Sequence, residues 1–394
     1  MVDEKNHTKW GNIRLEEVVE FNPESLSGKT DKDYKFEYID IASIERTGVI
    51  SGTREFKFIN APSRARRVVE MGDIIISTVR PYLMAFAQIK AQHDNMICST
   101  GFAVLRSKKH IDNNFLYQII ICNPFVEYLK SKMTGSNYPA VKVNDLKHYT
   151  FSLPPLMEQQ KIAAILSSVD EAIEKTEQII EQTEKVKKGL MQQLLTKGIG
   201  HTEFKKTAIG EIPVEWEIKD FQHLMILQRG FDLPVHKRVQ GDNPLLSANG
   251  VTDYIDQYKV EGPGIITGRS GTIGKVHYIA ENFWPLNTSL YIKEMYNNDP
   301  RFLYYFLINF KLERFATGTG VPTLNRNIVH QENVAIPSVN EQKHIAARLT
   351  KIDENVEYEV KYLNQLKNLK KSLMQVLLTG KVRVPIDDPE VVET

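Results

Sequence analysis

A direct internal repeat constrains this 394-residue chain more than any other feature. The segment LPPLMEQQKIAAILSSVDEAIEKTEQIIEQTEKVKKGLMQQLLT (153–196) lies over IPSVNEQKHIAARLTKIDENVEYEVKYLNQLKNLKKSLMQVLLT (336–379) at a constant offset of 183, without a gap, and 19 of the 44 positions are identical. The register continues upstream, pairing Gly135, Pro139 and Asn144 with Gly318, Pro322 and Asn327. The repeated unit is therefore a globular stretch followed by a helix, and it includes the last loop of that stretch. A chain of this length suits two or three domains rather than one core.

Both repeated segments read as long helices, entered from Pro154 and Pro337 and, past Pro155, free of proline until Pro213 and Pro385. In alternating steps of four and three, the first offers Ile162, Leu166, Val169, Ile173, Thr176, Ile180, Thr183, Lys187, Leu190 and Leu194. The second offers Ile345, Leu349, Ile352, Val356, Glu359, Leu363, Leu366, Lys370, Leu373 and Leu377. A mostly apolar seam repeating every 3.5 residues is a coiled-coil pattern, and most such stripes are simply core. Two related helices, each after a globular stretch, predict an antiparallel pair with a pseudo-two-fold relating the halves.

The globular halves begin alike: Trp10 is followed at plus five by Leu15, and Trp216 by Phe221. Each half mixes short β-rich runs (73–77, 101–105, 264–267, 289–292) with one helix-like stretch (114–132, 301–316). The predicted class is α+β, with two mixed α/β domains separated by two long helices. The expected boundaries are a first domain over 1–153, a central helix over 154–200, a second domain over 201–335, a C-terminal helix over 336–381 and an acidic tail over 382–394. The final PIDDPEVVET holds four acids and no base, which suits a loose tail.

Composition sets limits on function. Hydrophobic residues make up 42% and charged residues 25%, so most of the chain can bury a core. Lys plus Arg number 50 against 49 Asp plus Glu, so any grip on nucleic acid must be local rather than a matter of bulk charge. Cys98 and Cys122 are too few for a disulfide framework and fit a reducing cytoplasm. The polar start MVDEKNHTKW lacks the apolar stretch of a signal peptide, and no apolar run approaches a membrane span.

Several enzyme chemistries lack their residues. GRSGTIGKV (268–276) resembles a phosphate loop only superficially, because no Gly stands five residues before Gly274 and Val276 replaces the magnesium-holding Ser or Thr. Neither Asn-Pro-Pro-Tyr nor Asp-Pro-Pro-Tyr occurs, the sequence with which amino methyltransferases hold a flipped base. The ten His are scattered, with no HExxH and no pair at metal-ligand spacing. The chain is predicted to be non-catalytic, with no metal or cofactor of its own.

Local basic segments carry the binding candidates. REFKFINAPSRARR (54–67) sets Arg54, Lys57, Arg64, Arg66 and Arg67 against one acid, with Phe56 and Phe58 between, as a phosphate-gripping loop would. In the second half Arg229 begins a weaker cluster. Turns after short strands, STVRPY (77–82) and TGRSGTIGK (267–275), place Arg80, Arg269 and Lys275 on loops at strand ends. An Arg there suits base reading, because its planar fork matches the guanine O6 and N7 edge. Before the helices, GSNYPAVKVND (135–145) and GTGVPTLNRN (318–327) offer Tyr138, Lys142, Asn325 and Arg326 to base or phosphate. The basic clusters also fit ordinary solvated loops, and an Arg in a turn is more often a surface salt-bridge partner. A coiled-coil scaffold whose globular halves bind proteins is the alternative class, and a self-contained DNA-modifying enzyme the third.

The whole arrangement resembles the specificity subunit of type I restriction-modification enzymes. The resemblance rests on two Trp-started domains, each ending in a Gly-containing loop, and on a P-x-x-x-EQ-x-x-IA-x-x-L helix ending in LMQ-x-LLT that occurs twice; GDIIISTVRP, ICSTGFAVLR and TGRSGTIGKV look like further family segments. It implies two target recognition domains, each reading one half of a split, asymmetric site in double-stranded DNA. The helices would act as a ruler for the spacer and dock two modification subunits. Those partners would carry S-adenosylmethionine and methylate adenine, while restriction subunits would add ATP- and Mg-dependent translocation and cleavage. A helix of about 40 residues spans about 60 Å, enough to separate two modules by at least one DNA turn of about 34 Å.

Overall fold

The computed structural model describes residues 10–90, 95–318 and 320–386. The chain divides into two compact units, Met1–Lys175 with Leu363–Thr394, and Thr176–Tyr362. The cuts fall inside the long helices and not at the domain edges read from the sequence. The physical reason is that the two ends of each helix serve different cores. Ile162, Ala163 and Leu166 share the first unit's core with Leu377 and Leu378. Leu194 and Leu195 share the second unit's core with Ile345, Ala346 and Leu349.

The long helices run over Leu156–Lys197 and Val339–Leu377, slightly inside the predicted limits. The first stops directly at Gly198, φ 67°, and the second runs through a short turn to Gly380, φ 68°, the left-handed geometry that ends a helix without Cβ strain. Every seam residue predicted on either helix is buried or half-buried. Within each unit the pairing is antiparallel: Asp170 meets Lys370 in the first, and Lys187 meets Asp353 in the second, both at 2.5 Å. The two seam lysines, Lys187 and Lys370, thus each have a carboxylate partner, again 183 residues apart.

The first unit opens on strand Gly11–Arg14, paired antiparallel with Thr150–Leu153, the strand that leads into the first long helix. An antiparallel sheet follows in the order Val19–Phe21, Phe102–Ser107, Ile74–Ser77, Phe86–Gln88. A second sheet, in the order Arg54–Lys57, Lys35–Ile39, Met96–Ser99, Ala65–Val69, contains one parallel pair. Ile39, Val69, Met96 and Cys98 of the second sheet share a core with Ile75, Ala87 and Val104 of the first.

The second unit repeats the plan. Glu217–Asp220 pairs with Asn333–Ile336, which leads into the second long helix. Its antiparallel sheet runs Ile226–Arg229, Ser289–Glu294, Gly264–Gly268, Val276–Ile279. Gly250–Ile255, Gln240–Ser247 and Trp284–Pro285 form the smaller sheet. The β-rich runs read from the sequence all lie in the two antiparallel sheets.

The helix-like stretches need correction. Residues 114–132 form two helices, Asn113–Ile121 and Asn123–Lys132, because Pro124 has no N–H to continue the first and its ring would strike the carbonyl of Ile120. Residues 301–316 form Pro300–Phe310, ended by Lys311 in the left-handed region, and then a short 3-10 turn. Both leading helices are N-capped by aspartate, Asp112 and Asp299.

Candidate nucleic-acid interface

The repeated Glu-Gln of each long helix fixes the domain to the helix. Glu158 is fully buried and accepts from Trp10 Nε1 at 3.2 Å, Arg383 Nε and Nη2 at 2.8 and 2.7 Å, and the Val384 N–H at 3.1 Å. Glu341 accepts from Trp216 Nε1 at 3.0 Å, the Ile199 N–H at 2.9 Å and His201 Nε2 at 2.9 Å. The neighbouring Gln159 takes the Asp112 N–H at 2.9 Å, and Gln342 takes the Asp299 N–H at 3.0 Å, so each glutamine holds the start of its domain's helix. These contacts are not legible in the sequence by itself. The available signal was that Trp and Glu-Gln recur in both halves. The acidic tail is corrected at its start: Arg383 and Val384 bind Glu158, and Pro385 accepts from Lys161 at 2.8 Å. Residues 387–394 lie outside the described residues.

On this frame each unit presents a turn packed against a small hairpin. In the first unit the turn after strand Ile74–Ser77 bonds to the loop over 134–140. Arg80 N–H donates to Pro139 O at 2.7 Å, Val141 N–H to Thr78 O at 2.9 Å, and Thr134 bridges to Ala140. In the second, Gly271 N–H donates to Pro322 O at 3.1 Å, Leu324 N–H to Arg269 O at 2.8 Å, and Thr317 pairs with Thr323. Gly135 and Gly318 turn the two hairpins at φ of 97° and 106°. Arg80 and Arg269 do stand just beyond strand ends, as the sequence suggested.

The structure brings Arg80 and Tyr138 together. The Arg80 guanidinium lies over the Tyr138 ring at 4.9 Å and donates through Nη2 to Asn137 O at 3.1 Å. In the second unit Arg269 is half-buried and donates to Asn287 O at 3.1 Å, while Lys275 and Arg229 are exposed. Lys142 is exposed beside the first turn's hairpin. Asn325 caps the short helix Arg326–His330, and Arg326 donates inward to Leu227 O at 3.1 Å. Beside it His330 accepts the Leu227 N–H at 3.0 Å; burial, and secondarily the Arg326 charge, push its imidazole pKa down, so it serves the fold as a neutral ring.

The basic segment over 54–67 is not one loop. It spans strand Arg54–Lys57, a 3-10 turn and the start of strand Ala65–Val69. Arg54 and Arg64 are exposed, and Lys57 pairs with Asp33 at 2.8 Å. Arg66 stacks on Phe58 at 4.8 Å and donates to Ala65 O. Arg67 turns toward Ser25 at 3.3 Å, with its Nε buried and without a hydrogen-bond partner. The exposed cations are therefore Arg54, Lys57 and Arg64, with Lys57 paired to Asp33, whereas Arg67 is partly structural.

The glycine-rich loop over 268–276 is held against the hairpin through Arg269 and Gly271, and Glu313 lies against Gly274, a carboxylate where a phosphate cradle would need amides or cations. Among the described residues no group of three or more His, Cys, Asp or Glu is placed to hold a metal ion. No described helix is long and apolar enough to cross a membrane.

These features define a duplicated α+β protein in which one scaffold, a domain and a long helix, carries two differently decorated turn-and-hairpin surfaces. The chain belongs to the type I restriction-modification specificity family: the Type I restriction modification DNA specificity domain matches it twice, over residues 7–185 and 213–368. Similar proteins include the Type I restriction enzyme MjaVIII specificity subunit of Methanocaldococcus jannaschii, 29% identical over 73% of this chain and 75% of that one. The putative type I restriction enzyme MjaX specificity subunit of the same organism is 26% identical over 95% and 94%. Among solved structures, the type I S subunit from M. genitalium shares the fold with a TM-score of 0.64 at 17% identity, covering 96% of this chain and 98% of that one. A chain from a structure of type I R-M complex assembly and conformational transition gives 0.61 at 24% identity, covering 96% and 100%.

Proposed function

We propose that this chain is the non-catalytic, DNA-reading subunit of its type I complex, with each unit reading one half of a bipartite, asymmetric site in double-stranded DNA. The observation that carries this is the repeated turn-and-hairpin. Its backbone bonds recur at Pro139 and Pro322, yet its side chains differ, Arg80 and Tyr138 in one unit and Gly271 and Val321 in the other. A common scaffold with different reading residues is what two unlike half-sites require. The long helices, 42 and 39 residues, set the spacer and dock two modification subunits. S-adenosylmethionine, ATP and Mg belong on those partners and on the restriction subunits, in the cytoplasm. A net charge of +1 suits a subunit that shares its phosphate grip with partners.

The test is co-purification with an adenine methyltransferase, followed by a band shift on mixed duplex DNA with that partner present. Binding only in the joint complex supports the reading. A complex that forms but binds no DNA favours the protein-scaffold alternative, and methyl transfer by the isolated chain would revive the single-enzyme reading.

A further inference from the structure

The geometry points to the Arg80–Tyr138 pair as a guanine-reading element that the first unit has and the second lacks at the same backbone position. The inference rests on the half-site reading above. Arg80 and Arg269 look like counterparts in sequence, each following a β-rich run. The hydrogen bonds assign them differently. Pro139 O accepts from Arg80 as Pro322 O accepts from Gly271, and Thr78 O accepts from Val141 as Arg269 O accepts from Leu324. Val79 bridges to Ala140 as Ser270 bridges to Thr323. Arg80 therefore occupies the place of Gly271, and Thr78 that of Arg269.

The backbone at that place is left-handed in both units, with φ of 49° at Arg80 and 80° at Gly271. Glycine adopts it freely, whereas an arginine there is disfavoured by its Cβ. A strained residue is kept where its side chain is needed. The side chain is held accordingly: Tyr138 covers one face of the guanidinium and Asn137 O takes one Nη2 proton, while Nε is buried. The Nη1 edge and the second Nη2 proton are left for an end-on pair of bonds, the geometry that matches guanine O6 and N7. Holding the fork in place beforehand lowers the rotamer entropy lost on binding. Tyr138 is 71% exposed and Arg80 half-buried, so the stacked pair reaches the surface through the tyrosine and the guanidinium end; Val321, 183 residues on, is 67% exposed and can neither stack on nor orient a cation. Tyr138 is thus a positioning residue for Arg80.

The experiment uses the full chain reconstituted with its modification subunits and a pool of random duplex DNA, with the bound fraction sequenced. The wild-type complex gives the reference motif. Arg80→Gly, which installs the residue the second unit uses at this geometry and so preserves the turn, is expected to lower discrimination at one guanine of one half-site by about tenfold or more and to leave the other half-site unchanged. Tyr138→Ala should weaken discrimination at that same position, and Tyr138→Phe should restore it. Arg80→Lys, which keeps charge but not the fork, should behave like Arg80→Gly. Unchanged base ratios in Arg80→Gly, or an equal loss at every position, overturns the inference while leaving the half-site reading intact. A wild-type complex that enriches no split motif overturns the half-site reading itself, and the inference with it.

Discussion

The indole N–H of Trp10 donates to the carboxylate of Glu158 at 3.2 Å, joining the first strand's approach to the first turn of a helix 148 residues later in the chain. Trp216 makes the same bond to Glu341 at 3.0 Å. The third partner differs: Arg383 completes the first site and His201 the second. A buried carboxylate needs such partners, and here they fix the domain to its helix and hence the direction in which its turn and hairpin are presented.

Glu158→Ala should destabilise the first unit by about 3–5 kcal/mol, since it removes the buried carboxylate on which bonds from Trp10, Arg383 and the Val384 N–H converge. Denaturant unfolding of the full chain reads this directly. A loss under 1 kcal/mol would mean that the site contributes little to holding the domain.

The same carboxyl makes a pH prediction. Burial alone would raise the Glu158 pKa, but hydrogen bonds from Arg383, the Val384 N–H and Trp10, together with the Arg383 charge, hold it below the usual carboxylate range. A group depressed on folding stabilises above its unfolded pKa of about 4.3, and that contribution is lost as pH falls through the lower folded value. Wild type should therefore lose stability more steeply below about pH 4 than Glu158→Gln, comparing denaturant midpoints from pH 7 to 3. Parallel curves would contradict this.

Lys187 and Asp353 pair at 2.5 Å with side chains only 21% and 26% exposed. Lys187→Met alone should cost about 1–3 kcal/mol by stranding the carboxylate, whereas Lys187→Met with Asp353→Leu should come back close to wild type, because the desolvation of both ions is removed together. Tyr305, which donates to Asp353 at 2.7 Å, keeps Thr350 at 3.3 Å as a partner in the double variant. A double-mutant cycle by thermal melting checks the recovery.

Arg54→Ala and Arg64→Ala should weaken DNA binding by the complex at all sequences alike, and each should flatten the salt dependence of log K by about one unit of slope. Arg67→Ala should lower stability as well, since Arg67 is half-buried and bonds to Ser25. A change in base preference from Arg54→Ala or Arg64→Ala, seen in the sequenced bound fraction, would move that residue from phosphate grip to base reading.

Much of this architecture was legible in the sequence because it depends on periodicity and repetition. The seam from Ile162 to Leu194 and from Ile345 to Leu377 needs only the 3.5 spacing to be seen, and every one of its positions is buried or half-buried. What stayed hidden depends on contacts between residues far apart in sequence. Glu158 reads as one charge among many on a helix until Trp10 and Arg383 are placed beside it. Arg67 reads as part of a basic run until the strand Ala65–Val69 turns it toward Ser25. The correspondence of Arg80 with Gly271 is invisible at the 183-residue offset, because the strand before each turn is shifted by eight residues relative to the hairpin it meets, from a spacing of 183 at Pro139 and Pro322 to 191 at Arg80 and Gly271.

If two units read two half-sites at a separation set by the long helices, the methylation pattern of the cell records it. The direct measurement is a map of methylated adenines in cells carrying the chain with its modification subunits, made for wild type and for a variant with four residues inserted between Thr196 and Gly198. The expected result is one split motif that disappears when the chain is deleted, with the same half-sites and a spacer longer by roughly one to two base pairs in the variant, from about 1.5 Å per helical residue against about 3.4 Å per base pair. An uninterrupted motif, or a spacer unchanged by the insertion, would contradict it.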